Sequence, residues 1–290
     1  MKLRIGSRDS ALAVIQAELL LSAMKAAHPD LELELITMKT TGDRILDRTL
    51  DKVGGKGLFV KELDAALLEG RVDITVHSCK DLPMEENPAL PLVAFSRRED
   101  PRDVLVLPNG VKEIDFTKPI GCSSLRRTLQ LGKLYPQATV QPIRGNLQTR
   151  LRKLDEGQFS ALVLAAAGLK RLGLEGRIHR WFSPEELLPA AGQGILAVQM
   201  RAGEDVAYVR CFDDPAAHAC ALAERAFVRA LDGGCTSPVA AYATFDNDYL
   251  TLTGMNAAGV RGVLSGPAGE AEALGTALAT RLAVEGGNEL

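Results

Sequence analysis

The residues of this chain best suited to chemistry stand in four short stretches. LDGGCTSP puts Cys235 behind two glycines and three residues before Pro238. Glycines and a proline make a turn, and a turn exposes a thiol and lets another group come close. Such a cysteine can anchor a covalently held group, whereas Cys79, Cys122, Cys211 and Cys220 read as inert free thiols. In DITVHSCKDLP an apolar strand delivers His77, Ser78, Lys80 and Asp81 to its C-terminal end. A partly desolvated carboxylate there can serve as general acid or base, or offset a developing cation. Asp81 equally suits a simple turn before Pro83, and no Ser/His/Asp triad is implied, because strand neighbours point to opposite faces.

The third feature is a set of cations at element ends: Arg8 after LRIGS, Arg126 and Arg127 after GCSS, Arg144 closing TVQPIR, and Arg150 one turn into the next helix. Any one of them reads best as a solvated surface charge. Cations repeated at several strand ends and at the helix start that follows read differently, since ligands of open α/β sheets sit at the carboxyl ends of the strands. Arginine suits that place because its planar fork binds carboxylate or phosphate bidentately. Ser123 and Ser124 lie where a strand passes into a helix, a position that suits either a bound anion or a plain helix cap. The fourth stretch is DKVGGKGLFVKEL, whose glycines fit neither nucleotide-loop spacing. They read as a loop or lid presenting Lys52 and Lys56 to anionic groups.

The elements that must position these residues alternate. Short β-branched or apolar runs and helical patterns follow one another from LRIGS through SALAVIQAELLLSAMKAAH, LELELITM and DITVHS, which predicts an α/β fold with a largely parallel sheet. Leu12, Ile15, Leu19 and Met24 predict a helix from Ser10 to Ala27, stopped at His28 and Pro29. The polar SRREDPRD separates a second α/β series, and LPAAGQGILAVQM reads as a loop and strand returning to the first. From about Pro215 two Ala-rich helices flank three strands, a small α+β unit. The expected division is residues 1–98 with 191–212, residues 99–190, and residues 213–290 as the unit carrying Cys235. No internal repeat is visible.

Bulk properties narrow the function classes. The 290 residues, 46% hydrophobic, suffice for more than one core. The N-terminus has neither a secretory pattern nor an apolar span, so a cytoplasmic enzyme is expected. Five cysteines without a CxxC pair and four scattered histidines speak against a disulfide framework and a metal site. A net charge of -3 gives no reason to expect nucleic acid or membrane as partner, so any basic site must be local.

In chain order, IGSRDSALAVIQ, VGGKGLFVKEL, DITVHSCKDLP, GCSSLRR, IRGNLQTRL, AGLKRLGL, LPAAGQGILA and GGCTSP resemble the porphobilinogen deaminase (hydroxymethylbilane synthase) family over nearly the whole chain. The resemblance implies two periplasmic-binding-protein-like α/β domains with hinge crossings, a small third domain, and a monomer. It implies a transferase of heme biosynthesis carrying a dipyrromethane primer on a thioether, by motif match at Cys235. Four porphobilinogen molecules would be deaminated and joined head to tail, and hydrolysis would release a linear tetrapyrrole. Asp81 matches the family's catalytic aspartate. Ser78, Lys80, Asp81, Ser123, Arg126, Arg127 and Arg144 would contact the cofactor; Arg8, Ser10, Arg150, Arg171, Lys52, Lys56 and Phe59 the substrate. Cys122 departs from the pattern, standing where the family usually has threonine. The rival readings are a non-catalytic anion-binding protein with the same cleft and a nucleic-acid binder using Arg126 to Arg152; neither needs Cys235 on a glycine turn.

Overall fold

A computed structural model describes residues 2–41, 60–234 and 237–285 of the chain. Strand β1 (Lys2–Arg8) passes through Ser10, whose hydroxyl accepts the Ala13 N–H, into α1 (Ala11–Ala27). Capping of this kind satisfies an N–H that the first helical turn leaves without a partner. Ala13, Gln16, Ala17, Leu20 and Met24 recur at helical spacing and are buried. Leu20 and Met24 pack with Leu3, Ile5, Ile74 and Val198 to make the core under the first sheet. β2 (Glu32–Met38), α2 (Lys61–Leu68), β3 (Ile74–Ser78) and β4 (Leu92–Phe95) follow.

The chain then crosses to β5 (Asp103–Val106), β6 (Ile120–Gly121), α3 (Leu125–Leu134), β7 (Val140–Gln141), α4 (Leu147–Asp155), β8 (Ala161–Ala165), α5 (Ala166–Arg171) and β9 (Ile178–Trp181). It recrosses to β10 (Leu196–Met200) in the first sheet. The first sheet has the order β2-β1-β3-β10-β4 and the second β7-β6-β8-β5-β9, so the two share one topology although their sequences show no repeat. In each, the strand delivered by a crossing lies fourth and runs antiparallel to both neighbours. Each sheet is therefore largely parallel, as the βα alternation leads one to expect, with four strands running one way and one strand reversed. β5 and β10 enter from the hinge side, against the direction of strands that begin at the far end.

The crossings are stitched together: Ser96 N–H donates to the Leu196 carbonyl at 2.9 Å and Glu99 N–H to the Gly194 carbonyl at 3.1 Å. Beyond them, α6 (Pro215–Ala230) and α7 (Ala271–Glu285) pack on a meander of β11 (Ala240–Asp246), β12 (Tyr249–Met255) and β13 (Arg261–Pro267). Phe227, Leu252, Leu278 and Leu282 fill that third core. Asp214 caps α6 and Pro215 occupies its first turn, where the missing N–H costs nothing.

Candidate active site

A cleft of about 940 Å³ lies between the two larger sheets. One wall comes from the end of β1, the start of α1 and the turn after β3: Arg8, Ser10, Gln16, Ser78, Lys80 and Asp81. The other comes from α3, the loop after β7, α4 and α5: Arg127, Arg144, Asn146, Arg150 and Arg171. Gly192, Gly194 and Ile195 of the second crossing close it between them. These are carboxyl ends of strands and adjoining helix starts, where the sheets expose their loops to a ligand. Among the described lining residues, eight carry positive charge, Lys39 and Arg152 included, against two carboxylates, Asp9 and Asp81. A chain of net charge -3 thus concentrates cations in one crevice, where low-dielectric walls strengthen their field on a bound anion.

Each predicted residue that the structure describes has a definite position. Ser78 exchanges hydrogen bonds with Gln16 (2.9 and 3.3 Å), tying the end of β3 to α1. Gln16 was not singled out from the sequence; a glutamine within the buried stripe of α1 is the signal that marks it. Asp81 ends a short 3-10 turn, Cys79–Asp81, and is exposed. Beside it, burial pushes the Lys80 ammonium down to about 8, with Asp81 pulling the other way. Arg150 is anchored through Nε to the Gly145 carbonyl at 2.8 Å, and Arg171 to the Gly194 carbonyl at 2.7 Å. Burial lowers Arg171 to about 10, which leaves it charged at neutral pH. Ser124 caps α3, while the Ser123 hydroxyl bonds both backbone groups of Ile143. The Cys122 thiol is buried and lies 3.8 Å from the Ser124 carbonyl.

Arg126, His77 and Ser123, all singled out from the sequence, do not line the cleft, and the Ser123 hydroxyl is taken by Ile143. Arg126 donates to Asp103 Oδ2 at 2.8 Å and to the Leu188 carbonyl at 2.6 Å, and it does not line the cleft. His77, also delivered by β3, is buried against Thr75 Oγ1 at 2.9 Å and held down to about 4 by burial, so it is neutral at pH 7. Arg127 spans both settings: it lines the cleft and donates through Nε and a terminal nitrogen to Asp103 Oδ1 at 3.0 and 2.7 Å. Asp103, like Gln16, is not marked by the sequence motifs. It is wholly buried at the head of β5, and a lone carboxylate opening the apolar run VLVL is the only sign of it. Lys52, Lys56, Phe59 and Cys235 lie outside the described residues. On either side of the last, Gly234 and Ser237 are joined by hydrogen bonds of 2.9 and 3.1 Å.

The donor set fits a dipyrromethane. Two pyrroles, each with acetate and propionate, bring four carboxylates, and guanidinium forks and an ammonium are the groups that pair with them best. Two sheets of one topology, joined by paired crossings and facing each other across a cation-lined cleft, define the class: a two-lobed α/β protein whose cleft presents guanidinium and ammonium groups. Residues 3–208 match the porphobilinogen deaminase dipyromethane cofactor binding domain, and residues 218–283 the porphobilinogen deaminase C-terminal domain. The chain is 62% identical over 255 residues to the porphobilinogen deaminase of Alkaliphilus oremlandii (88% of this chain, 86% of the relative). It is 56% identical over 286 residues to that of Acetivibrio thermocellus (97% and 98%), and 47% identical over 298 residues to that of Chromobacterium violaceum (100% and 96%). Among solved structures it is similar to the periplasmic aliphatic sulphonate binding protein SsuA from Escherichia coli, at 14% identity and TM-score 0.42, covering 80% of this chain and 70% of that one. The chain belongs to the porphobilinogen deaminase family. It is an enzyme, a transferase of tetrapyrrole biosynthesis with a dipyrromethane cofactor, and the reading as a non-catalytic anion-binding protein is set aside.

Proposed function

We propose that the interlobe cleft is where four porphobilinogen molecules are deaminated and joined, with Asp81 as the catalytic carboxylate and Cys235 as the covalent anchor of the cofactor. The observation that carries this reading is Asp81 itself: one of two carboxylates against eight cations among the described lining residues, on the turn that follows β3. The bound dipyrromethane supplies the nucleophilic pyrrole carbon on which the chain grows. Asp81 accepts pyrrole N–H bonds, offsets the positive charge that develops on the substrate as its amine departs, and takes up the proton that carbon–carbon bond formation releases. Lys80, Arg8, Arg127, Arg144, Arg150 and Arg171 bind the acetate and propionate groups, and their number lets successive rings occupy the same walls. Ser10, Ser78 and Ser123 order the turns that carry these cations, and Arg126 acts behind them by completing the Asp103 cluster. Lys52, Lys56 and Phe59 belong to the substrate side in this reading, by motif match alone.

We take the three sheets as three domains, with bounds at residues 1–98 with 191–212, 99–190 and 213–290, and the enzyme as a cytoplasmic monomer without nucleic-acid or membrane partners. No helix among the described residues is long and apolar enough to cross a membrane.

Intact-protein mass spectrometry of the native chain and of Cys235→Ser tests the anchor. The native protein should exceed its sequence mass by two pyrrole units and the variant should not. Asp81→Asn should keep its fold and its load but lose nearly all turnover; normal turnover would remove Asp81 from the mechanism.

A further inference from the structure

The second crossing carries one side chain that touches both lobes. Gln193 is fully buried, between Gly192 at φ +70° and Gly194 at φ +90°. Its Nε2 donates to Asp103 Oδ1 at 2.9 Å and to the Pro101 carbonyl at 2.6 Å, both on the second-lobe side of the first crossing. Its Oε1 accepts from Lys80 Nζ, on the first lobe, at 3.4 Å. Its carbonyl accepts from Arg98 at 3.2 Å. An amide is a neutral group that donates to a carboxylate through its nitrogen and accepts from an ammonium through its oxygen at the same time. A carboxylate or an amine at this position would lose one of the two contacts.

We propose that Gln193 is a positioning residue of the reaction: its amide links the Asp103–arginine cluster of one lobe to Lys80 of the other and so holds the ammonium beside Asp81 at the hinge. The inference rests on the assignment of Asp81 and Lys80 to the reacting centre. The charged groups that act on Lys80 are Asp81 and Asp103, which favour its charged form, and Arg126 and Arg127, which oppose it, on top of the larger effect of burial. Against that balance the Gln193 oxygen is a neutral acceptor, and it favours the ammonium by orientation rather than by charge. The flanking glycines keep this residue in place. A Cβ at Gly192 would lie 2.5 Å from Cys79 Sγ, and one at Gly194 2.2 Å from the Glu99 carbonyl oxygen. The turn can therefore approach the first lobe and the first crossing only as glycine.

The test uses the purified, cofactor-loaded full chain and its Gln193→Leu and Gln193→Glu variants, with load checked by intact mass and fold by thermal unfolding. Two readouts are taken from about pH 6 to 10: kcat and KM, and the pH midpoint of Lys80 acetylation by acetic anhydride, followed by peptide mass spectrometry. Gln193→Leu removes the acceptor, so the midpoint should fall and kcat should drop about ten-fold with little change in KM. Gln193→Glu keeps an oxygen and adds charge, so the midpoint should rise above that of the native enzyme. An unchanged midpoint in both variants overturns the inference; if Gln193→Leu does not fold, an unmoved midpoint in Gln193→Glu does so alone. The parent reading fails separately: were Asp81→Asn to turn over normally, a midpoint that still followed Gln193 would uphold the contact with Lys80.

Discussion

Arg98, on the first crossing, and Glu224, on α6 of the third layer, form an ion pair of 2.6 Å in which the carboxylate is wholly buried. Glu224 also accepts the N–H of Gly192 at 2.6 Å and that of Ala243 at 2.7 Å. One side chain of the third layer thereby grips both crossings, and the helix bearing it ends five residues before Cys235. Burial pushes the Glu224 carboxyl upward, with Arg98 and the two backbone donors pulling against it.

Removing Arg98 leaves that carboxylate without its counter-ion. Arg98→Ala should therefore destabilise the protein by about 3–5 kcal/mol, and adding Glu224→Gln should recover part of the loss. Urea unfolding of the two variants measures both. A loss in Arg98→Ala of under about 1 kcal/mol would make the pair incidental.

The Asp103 cluster predicts an acid limb. Burial alone would raise this carboxyl, but Arg126 and Arg127 override it and hold the folded value well below 3.8. Asp103 then binds protons more readily in the unfolded chain than in the folded one. Its contribution is complete above the unfolded value of 3.8 and declines as pH falls from there through the folded value. Asp103→Asn should be less stable at neutral pH and show a flatter fall in unfolding free energy between about pH 5 and 2. A variant with the native slope would place the acid sensitivity elsewhere.

The crowded cations predict a salt effect. Raising ionic strength should raise KM more than it lowers kcat, because screening weakens capture of a polyanion before it alters chemistry in the closed cleft. Arg150, held among the described residues through Nε at Gly145, should lower kcat/KM about ten-fold as Arg150→Ala while leaving the melting temperature nearly unchanged. Steady-state kinetics at low and high salt check both.

Two glycines of like conformation separate backbone strain from crowding. Gly194 and Gly203 have φ of +90° and +85°, but a Cβ meets the Glu99 carbonyl oxygen at 2.2 Å in the first and nothing within 4 Å in the second. Gly203→Ala should cost about 1 kcal/mol and Gly194→Ala about 3 kcal/mol or more, with a loss of turnover in the latter alone. Equal costs would show that the crossing yields without effort.

Much of this protein is legible locally. The β1–α1 unit, with Ser10 as cap and His28 as stop, follows from helical spacing of apolar residues. Of Leu12, Ile15, Leu19 and Met24, however, only Met24 is buried, and the stripe facing the core runs through Ala13, Ala17 and Leu20. The placement of Arg8, Lys80, Asp81, Arg127 and Arg144 at or just beyond strand ends follows from where apolar runs stop, and so does their convergence on one crevice. What stayed hidden is the one reversed strand in each sheet, because an apolar run does not say in which direction its neighbours travel.

The sequence by itself determined which elements form, which charges end them and, through eight motifs in order, which family they resemble. Only the tertiary structure decided what each charge does. Arg126 and Arg127 stand side by side with the same chemistry, yet one is spent on Asp103 and Leu188 and the other also reaches the cleft. The partners that decide this are far away in the chain: Gln193 lies 90 residues from Asp103, and Glu224 126 residues from Arg98. Periodicity reports on neighbours a turn or a strand apart. Pairing across such distances is set only when the folded chain excludes water and leaves each buried charge one group able to answer it.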